Sequence, residues 1–417
     1  MKHLNLFLSV FFLASLVFIL HSCNYDKCTD TIEYTFYRPV YKTEAQLRDF
    51  KIGEAQPLEN PGKIYVYGDY LLINEQYKGI HIFDNSNPEN PVNLSFISIE
   101  GNIDMAVKDN ILYAENYLDL VSVDISNPKN PVFVKSIENV FNTYNGVKNK
   151  FLIYYVPTDT VKVLNCDNPY YGQFYYWEDS GAYVRNGGGN SWTPPTAPTG
   201  IGGSMARFTI IKDRLYTVDD RKLNIFNIFI PDNPVSVNKM NIGRRIETIY
   251  PFKNNLFIGS NDGMYIYGLS NPDNPVFISK FRHARSCDPV LPVGDVAYVT
   301  LRSGTRCSGY SNQLDVIDIK NIIEPKLIKS YPMSNPHGLA VVDDKMILCE
   351  GNYGLKVLDV KDNYKITQKY SIESNHFYDV IGLSEDDIIL VGENGLYQYK
   401  FDGYKLEELS YIPISKK

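Results

Sequence analysis

Six polar residues of this sequence lie near the beginnings of short apolar runs that we predict to be the innermost strands of repeated units. They are Asp104, Asn145, Glu247, Asp288, His337 and Asp379. Carboxylates that converge with a histidine can act as general acid and base, hold a metal ion or bind a polar ligand. The setting of the histidine, NPHG at residues 335–338, specifies none of these roles. The residues therefore predict either a ligand site or simply a wet channel with a polar rim.

A second group of candidates lies in a long irregular stretch, residues 169–204. This stretch contains both tryptophans of the chain, and its candidate ligand-binding residues are Tyr175, Tyr176, Trp177 and Trp192. Exposed Tyr and Trp side chains stack on sugars or pack into a protein partner. A loop of this length in a compact domain is more often functional than idle. The alternative is that these rings close over a neighbouring sheet and exclude water.

Cysteine usage predicts one disulfide in an exported chain. Cys287 and Cys307 both have turn-rich flanks within one irregular stretch, and we expect them to pair. A zinc site is the rival interpretation, but the sequence contains no paired C-x-x-C and no nearby set of histidines. Cys349 belongs to an apolar run and is predicted to be a buried thiol.

Composition and missing motifs narrow the classes of function. The net charge is −7 and no Lys/Arg run occurs after the N-terminal segment, which argues against a nucleic-acid partner. The sequence contains no G-x-S-x-G elbow, no H-E-x-x-H motif and no nucleotide fingerprint. We therefore expect no cofactor and no resident metal, and we assign no catalytic residue.

An internal repeat identifies the elements that must position these residues. Phe83–Val92 reads FDNSNPENPV and returns as VDISNPKNPV at Val123–Val132. Strong and weak copies of this pattern occur eight times. We mark each copy by one residue at the equivalent position: Asp84, Asp124, Asn165, Asn227, Gly268, Asp318, Asp359 and Lys400. Most marks are 40 or 41 residues apart, and insertions stretch two of the gaps. A period of this length is typical of solenoids and propellers.

One unit, residues 104–137, shows that the repeat is all-β. Four short apolar runs alternate with Asn-rich and Pro-rich turns at spacings of about ten residues, as expected for strands. We predict a β-propeller of eight four-stranded blades, or seven if one weak copy is an insertion. The recurring aspartates Asp84, Asp124, Asp318 and Asp359 are predicted to make turns, because Asp side chains bond to backbone amides two residues further on.

The runs Leu120–Pro128 (LVSVDISNP) and Leu355–Val360 (LKVLDV) resemble LVIVD repeats, which form propellers in exported bacterial and archaeal proteins. The resemblance covers roughly residues 60–415. It implies a propeller fold and says little about activity, because propellers host many functions.

The first residues predict export and a lipid anchor. Leu4–Leu20 is apolar and follows a basic start, as in a secretory signal, and Leu20-His21-Ser22-Cys23 resembles a bacterial lipobox. We assign residues 1–22 to the signal and Cys23 to lipidation; an ordinary signal peptide with an incidental cysteine is the alternative. Residues 23–56 would form a tether with a possible ring-closing strand at 31–42, and residues 57–417 the propeller.

Two functions from different classes fit these observations. The first is a non-catalytic scaffold anchored in the cell envelope, at the outer membrane and facing either periplasm or exterior. It would bind a protein or glycan at its channel face and aromatic insertion. The second is a propeller hydrolase or lyase with a polar or metal-binding channel site. The sequence leaves the oligomeric state open.

Overall fold

The computed structural model describes residues 32–141, 146–147, 149–163, 201–204, 206–282, 289–302, 312–403 and 405–415. Two compact units are present, a smaller one of residues 1–38 and 155–177 and a larger one of residues 39–154 and 178–417. The larger unit contains seven antiparallel meanders of four consecutive strands each. We call these meanders blades 1 to 7.

The seven blades follow one another in chain order. Blade 1 consists of Pro61–Tyr67, Tyr70–Glu75, Gly79–Asp84 and Val92–Ser98; blade 2 of Met105–Lys108, Ile111–Glu115, Leu120–Asp124 and Val132–Ile137. Blade 3 consists of Phe208–Ile211, Arg214–Val218, Lys222–Asn227 and Val235–Asn241; blade 4 of Ile246–Phe252, Asn255–Ser260, Gly263–Gly268 and Val276–Phe281. Blade 5 consists of Val290–Val293, Val296–Leu301, Gln313–Asp318 and Lys326–Pro332; blade 6 of Leu339–Val342, Lys345–Cys349, Leu355–Asp359 and Thr367–Ile372. Blade 7 consists of Phe377–Ser384, Asp387–Gly392, Gly395–Phe401 and Leu406–Pro413.

The hydrophobic core lies between neighbouring blades. In blade 2 the strands Met105–Lys108 and Ile111–Glu115 are buried along their whole length, whereas Val132–Ile137 is half-buried to exposed. One apolar cluster joins side chains of blades 1, 2 and 3, and another joins blades 4, 5 and 6. Each blade therefore buries the two faces of its inner strands against the blades on either side of it. This explains why these strands read as apolar on both faces.

The repeated turns after the third strands have the predicted chemistry. The aspartate carboxylates accept hydrogen bonds from the backbone amide two residues further on. The donors are Ser86, Ser126, Lys320 and Lys361, at 3.0, 2.8, 2.9 and 3.1 Å from Asp84, Asp124, Asp318 and Asp359. These bonds confirm the turn-making role of the four aspartates. They also fix the chain where it reverses into the outermost strand.

The seven blades form a closed ring. The first strand of each blade contacts the first strand of the next, and the first strand of blade 7 contacts that of blade 1. A reciprocal pair of side-chain amides completes the junction between blades 7 and 1. Gln398 donates to Asn85 at 2.7 Å, and Asn85 donates back at 2.9 Å. A short parallel bridge between Leu58 and Ile414 adds to the junction.

The prediction of eight blades is wrong, and the alternative of seven is confirmed. The weak copy near Asn165 does not introduce a blade. Instead, the 14-residue strand Lys150–Val163 joins a three-stranded sheet between Ile32–Thr43 and Gly146–Val147. The prediction that residues 31–42 close the ring is also wrong, because the strand Ile32–Thr43 pairs with Lys150–Val163 and not with a blade. In the smaller unit, the described residues 32–38 and 155–163 belong to these two strands.

Two short segments enlarge the sheet of blade 1. Lys51–Gly53 pairs with the outer strand Val92–Ser98, and Ile201–Gly202 pairs with the inner strand Pro61–Tyr67. The helix Glu44–Leu47, which we call α1, precedes the first of these segments and begins with a capping box at Thr43.

Candidate functional site

The meander topology divides the ring into two faces. We call the end at which each first strand begins the top face. Because successive strands are antiparallel, the top face also carries the turns between second and third strands and the connections between blades. The bottom face carries the Asn-Pro turns. The two insertions that break the repeat lie within residues 142–205 and 303–311. The blade strands that flank both ranges end and resume at the top face.

Four charged side chains meet at the top of blades 1 to 3. Lys63 Nζ donates to Asp104 Oδ2 at 2.6 Å, and only 7% of the Lys63 side chain and 4% of the Asp104 side chain are exposed. The backbone N–H of Arg207 donates to the same oxygen, and Met105 N–H donates to Asp104 Oδ1 at 2.8 Å. The Arg207 guanidinium lies 3.9 Å from Glu115 Oε1, and Glu115 is buried. The cluster thus balances two cations against two carboxylates.

Burial opposes the charged forms of this cluster. It lowers the pKa of Lys63, while Asp104 acts in the opposite direction and Arg207 lowers it further. Burial also raises the pKa of Glu115, against the attraction of Arg207. A buried charge is retained only when a partner compensates for lost hydration. These residues therefore depend on one another.

The end of the aromatic insertion is fixed to blade 1. Ile201 and Gly202, the first described residues after the gap at 164–200, pair with Val66 and Tyr65 on the inner edge of the first strand of that blade. The chain then reverses and brings Arg207 to Asp104. One end of the insertion is therefore fixed directly beside a predicted channel residue.

The strand Lys150–Val163, which leads into the insertion, contacts the top of blades 1 and 2 through its first residues. Tyr154 stacks on Tyr77 with ring centroids 5.2 Å apart, and Tyr117 Oη donates to the Leu152 carbonyl at 2.7 Å. Leu47 and Leu118 are buried in the same small apolar cluster. The described base of the insertion is consequently part of the folded ring.

His337 lies at the top of blade 6 in a second polar cluster. Its Nδ1 is 2.8 Å from the Asn335 carbonyl oxygen, and its Nε2 faces the guanidinium of Arg302. A carbonyl can only accept and a guanidinium can only donate. The imidazole is therefore neutral, with its proton on Nδ1. Its backbone is fixed as well, since Thr300 Oγ1 donates to the His337 carbonyl at 3.0 Å.

The surroundings of both histidines in this cluster lower their pKa values and oppose protonation. Burial and the charge of Arg302 lower the pKa of His337 well below its ordinary value, although the Asn335 carbonyl opposes them. His376 packs edge-on at 5.8 Å, and burial lowers its pKa despite Glu393 at 3.4 Å. Neither ring nitrogen of His337 is directed at solvent as a base.

The other described candidates are buried in the first strands of blades 4 and 7. Glu247 is 2% exposed and Asp379 is 1% exposed. Asp379 Oδ1 accepts a hydrogen bond from Val380 N–H at 2.6 Å, which repeats the arrangement at Asp104. Cys349 is a buried free thiol, as predicted, and burial followed by the charges of Asp379 and Glu350 raises its pKa.

The remaining candidates lie outside the described residues. They are Cys23, Asn145, Tyr175, Tyr176, Trp177, Trp192, Cys287, Asp288 and Cys307. Their assignments remain predictions. Within the described ranges, no three His, Cys, Asp or Glu side chains are grouped as metal ligands. No helix in that part of the chain is long and apolar enough to span a membrane.

Five members of the two clusters were not among the six predicted channel residues: Lys63, Glu115, Arg207, Arg302 and His376. A signal for the first two exists in the sequence, because each is a charged residue within an otherwise apolar strand, in PGKIYVY and ILYAE. Such residues are rarely buried without a partner. Arg302 gives no comparable signal, since it lies at the end of its strand and meets His337 only through the fold.

Comparison with known proteins agrees with this architecture. Residues 61–97 and 103–139 match the model of the LVIVD repeat. The computationally designed Ika8 protein has a similar structure, with a TM-score of 0.52, 9% identity, and coverage of 87% of this chain and 92% of that one. Sqt1 of Saccharomyces cerevisiae gives a TM-score of 0.50 at 8% identity, with coverage of 87% and 88%. No curated protein sequence matches.

Identities this low show a shared fold and nothing about ligands. The matched repeats coincide with blades 1 and 2, and the remaining blades have the same strand order. The chain is therefore a seven-bladed β-propeller whose first two blades match the model of the LVIVD repeat.

Proposed function

We propose that this propeller is a lipid-anchored, non-catalytic binding module of the cell envelope, and that its top face carries the ligand site. The ligand is a protein or a glycan. The observation that carries the proposal is the course of the aromatic insertion, whose return leg pairs with the inner edge of blade 1 and delivers Arg207 to Asp104. The insertion and the channel residues would thus act on one ligand.

The contrast between the two faces supports the proposal. Bottom-face turns are short and repeat the same Asp-amide bond in four blades. Both long insertions leave and rejoin the blades at the top face. Loops on a rigid scaffold are where binding residues concentrate.

A deletion tests the role of the insertion. Residues 169–204 would be replaced by a short Gly-Ser linker, and proteins and glycans captured from solubilised cell envelope would be quantified by mass spectrometry. We expect specific capture to be lost. A control variant, Phe229→Ser with Ile230→Ser, alters side chains that are 70% and 55% exposed on the bottom face and should capture normally. Unchanged capture by the deletion variant would remove the insertion from the proposal.

The anchor requires a separate test. Cys23→Ala should abolish incorporation of labelled palmitate and release the protein from the membrane fraction, because acyl chains supply the membrane affinity. If the variant stays membrane-bound without acylation, the anchor assignment is wrong.

The hydrolase or lyase alternative finds little support in the geometry of His337. Both of its ring nitrogens are engaged, one by a carbonyl and one by a guanidinium. A general base needs an accepting nitrogen within reach of the substrate. A stoichiometric metal in the purified protein, lost in the His337→Ala variant, would support the hydrolase or lyase alternative.

A further inference from the structure

A charged cleft lies on the top face between blades 3 and 4, apart from the channel clusters. Its volume is about 440 Å³. The lining residues are Asp220, Arg221, Arg244, Arg245, Asn261 and Asp262. The cleft is large enough for a ligand of one or two sugar units, since pockets for small molecules begin at about 300 Å³.

Backbone hydrogen bonds fix the walls of the cleft. Ile246 N–H donates to the Asp220 carbonyl at 3.0 Å, which ties the connection between the blades to the turn of blade 3. Asn261 N–H donates to the Arg245 carbonyl at 3.2 Å and ties the turn of blade 4 to the same connection. Arg245 itself has a φ of 51°, an unfavourable conformation for a residue with a Cβ. Such conformations persist where the surrounding structure enforces them, and they cluster at functional sites.

The carboxylates of the cleft have cationic partners. Asp262 accepts from Lys280 Nζ at 2.6 Å and from Tyr265 Oη at 3.1 Å. Although burial raises the pKa of Asp262, these bonds and one from Ser260 lower it overall, so the group stays ionised. Asp220 accepts from Arg221 Nε at 3.4 Å.

Arginines outnumber carboxylates in the lining of the cleft. The arginines are Arg221, Arg244 and Arg245, and the carboxylates are those of Asp220 and Asp262. Lys280, the partner of Asp262, is a further cation beside the lining.

We propose that this cleft binds a saccharide that carries an anionic substituent. The guanidinium groups of Arg244 and Arg245 would hold the anionic group, because planar guanidinium forks match carboxylate and phosphate oxygens. Asp220, Asp262 and the Asn261 amide would accept hydrogen bonds from hydroxyl groups. A bare anion fits less well, since two carboxylates in the wall repel it. The inference deepens the proposed function and rests on it for the choice of a glycan ligand.

Binding measurements with defined probes test this assignment on the full-length protein. Trigalacturonate and glucose 6-phosphate would be titrated by NMR or calorimetry beside their neutral counterparts, galactotriose and glucose, and beside inorganic phosphate. We expect at least one anionic sugar to bind, to bind at least tenfold more tightly than its neutral counterpart and than phosphate, and to weaken as salt rises. Binding of phosphate alone, or of no anionic sugar, would overturn the proposal.

A matched pair of variants locates the site. Arg244→Gln with Arg245→Gln removes two charges from the cleft and should weaken binding at least tenfold. Lys326→Gln with Lys361→Gln removes two charges from exposed positions on the bottom face and should leave binding unchanged. Equal losses in both variants would mean that net charge alone attracts the sugar. The capture experiment with the 169–204 deletion is separate from the cleft variants. The proposed function can therefore hold even if the cleft assignment fails.

Discussion

At the scale of single residues, the channel side chains work mainly through mutual compensation. Lys63 and Asp104 are both almost fully removed from solvent, and neither could hold its charge there alone. His337 differs, because burial and then the charge of Arg302 lower its pKa and keep it neutral. These residues make the top of the channel rigid, and a ligand would meet a surface that is already ordered.

We predict that Asp104→Asn destabilises the protein by about 3–5 kcal/mol, because it removes the carboxylate that is hydrogen-bonded to the buried Lys63 ammonium. Adding Lys63→Met should restore most of the loss. The free energy of unfolding of both single variants and the double variant, measured in urea, tests the coupling. Additive losses would show that the two side chains do not act as a pair.

A pH dependence follows from His337. Because its pKa is lowered in the folded state, the unfolded chain binds more protons as the pH falls below about 6.5. Stability should therefore be full above that pH and decline below it, by up to about 1.4 kcal/mol per pH unit for this one group. Denaturant unfolding between pH 5 and 8 should show the decline, and His337→Gln should flatten it. His376→Gln should flatten it less, since that ring is only half-buried.

At the scale of elements, the recurring aspartates hold the turns. Asp124→Ala removes the acceptor of the Ser126 amide and should cost about 1 kcal/mol, whereas Asp124→Asn keeps an acceptor and should cost less. Thermal unfolding of the two variants measures the difference. Equal shifts would mean that the charge, and not the hydrogen bond, stabilises the turn.

These local elements could be read from the sequence. In residues 104–137 the alternation of apolar runs and Asn-Pro turns predicted four strands, and the structure has them at Met105–Lys108, Ile111–Glu115, Leu120–Asp124 and Val132–Ile137. Local patterns suffice there because each strand pairs with the next one along the chain. The weak copy at Asn165 made the predicted number of blades too high, because the strand before it, Lys150–Val163, pairs with Ile32–Thr43 and belongs to no blade. Pairing over such a distance leaves no trace in a local pattern.

The candidate site was only partly predictable. Asp104 and His337 were identified because each precedes a first strand, and the closed ring brings such positions to one face. Their partners Arg207 and Arg302 come from other blades, and contacts of this kind depend on how the blades pack.

At the scale of the whole molecule, the ring closes between blades 7 and 1 through side chains. Gln398 is fully buried, and it bonds to Asn85 and, at 3.1 Å, to the Pro88 carbonyl. Gln398→Ala should lower stability by about 1–3 kcal/mol, because it leaves buried polar groups without partners. Denaturant unfolding measures the loss. The control Gln368→Ala alters an exposed residue of blade 6 and should change little; comparable losses in both would contradict a special role for this junction.

No blade in the described ring borrows a strand from the opposite end of the chain, since all four strands of each blade are consecutive. Each blade is therefore an uninterrupted stretch of gene, and the ring can be cut open genetically at any blade boundary. A circular permutant that starts at Phe377 and links residue 415 to residue 58 would join two points that the bridge between Leu58 and Ile414 already places side by side, but it would lose residues 1–57 and the pairing of Lys51–Gly53 with blade 1. The same contiguity lets recombination duplicate or exchange one blade without disturbing the strands of its neighbours.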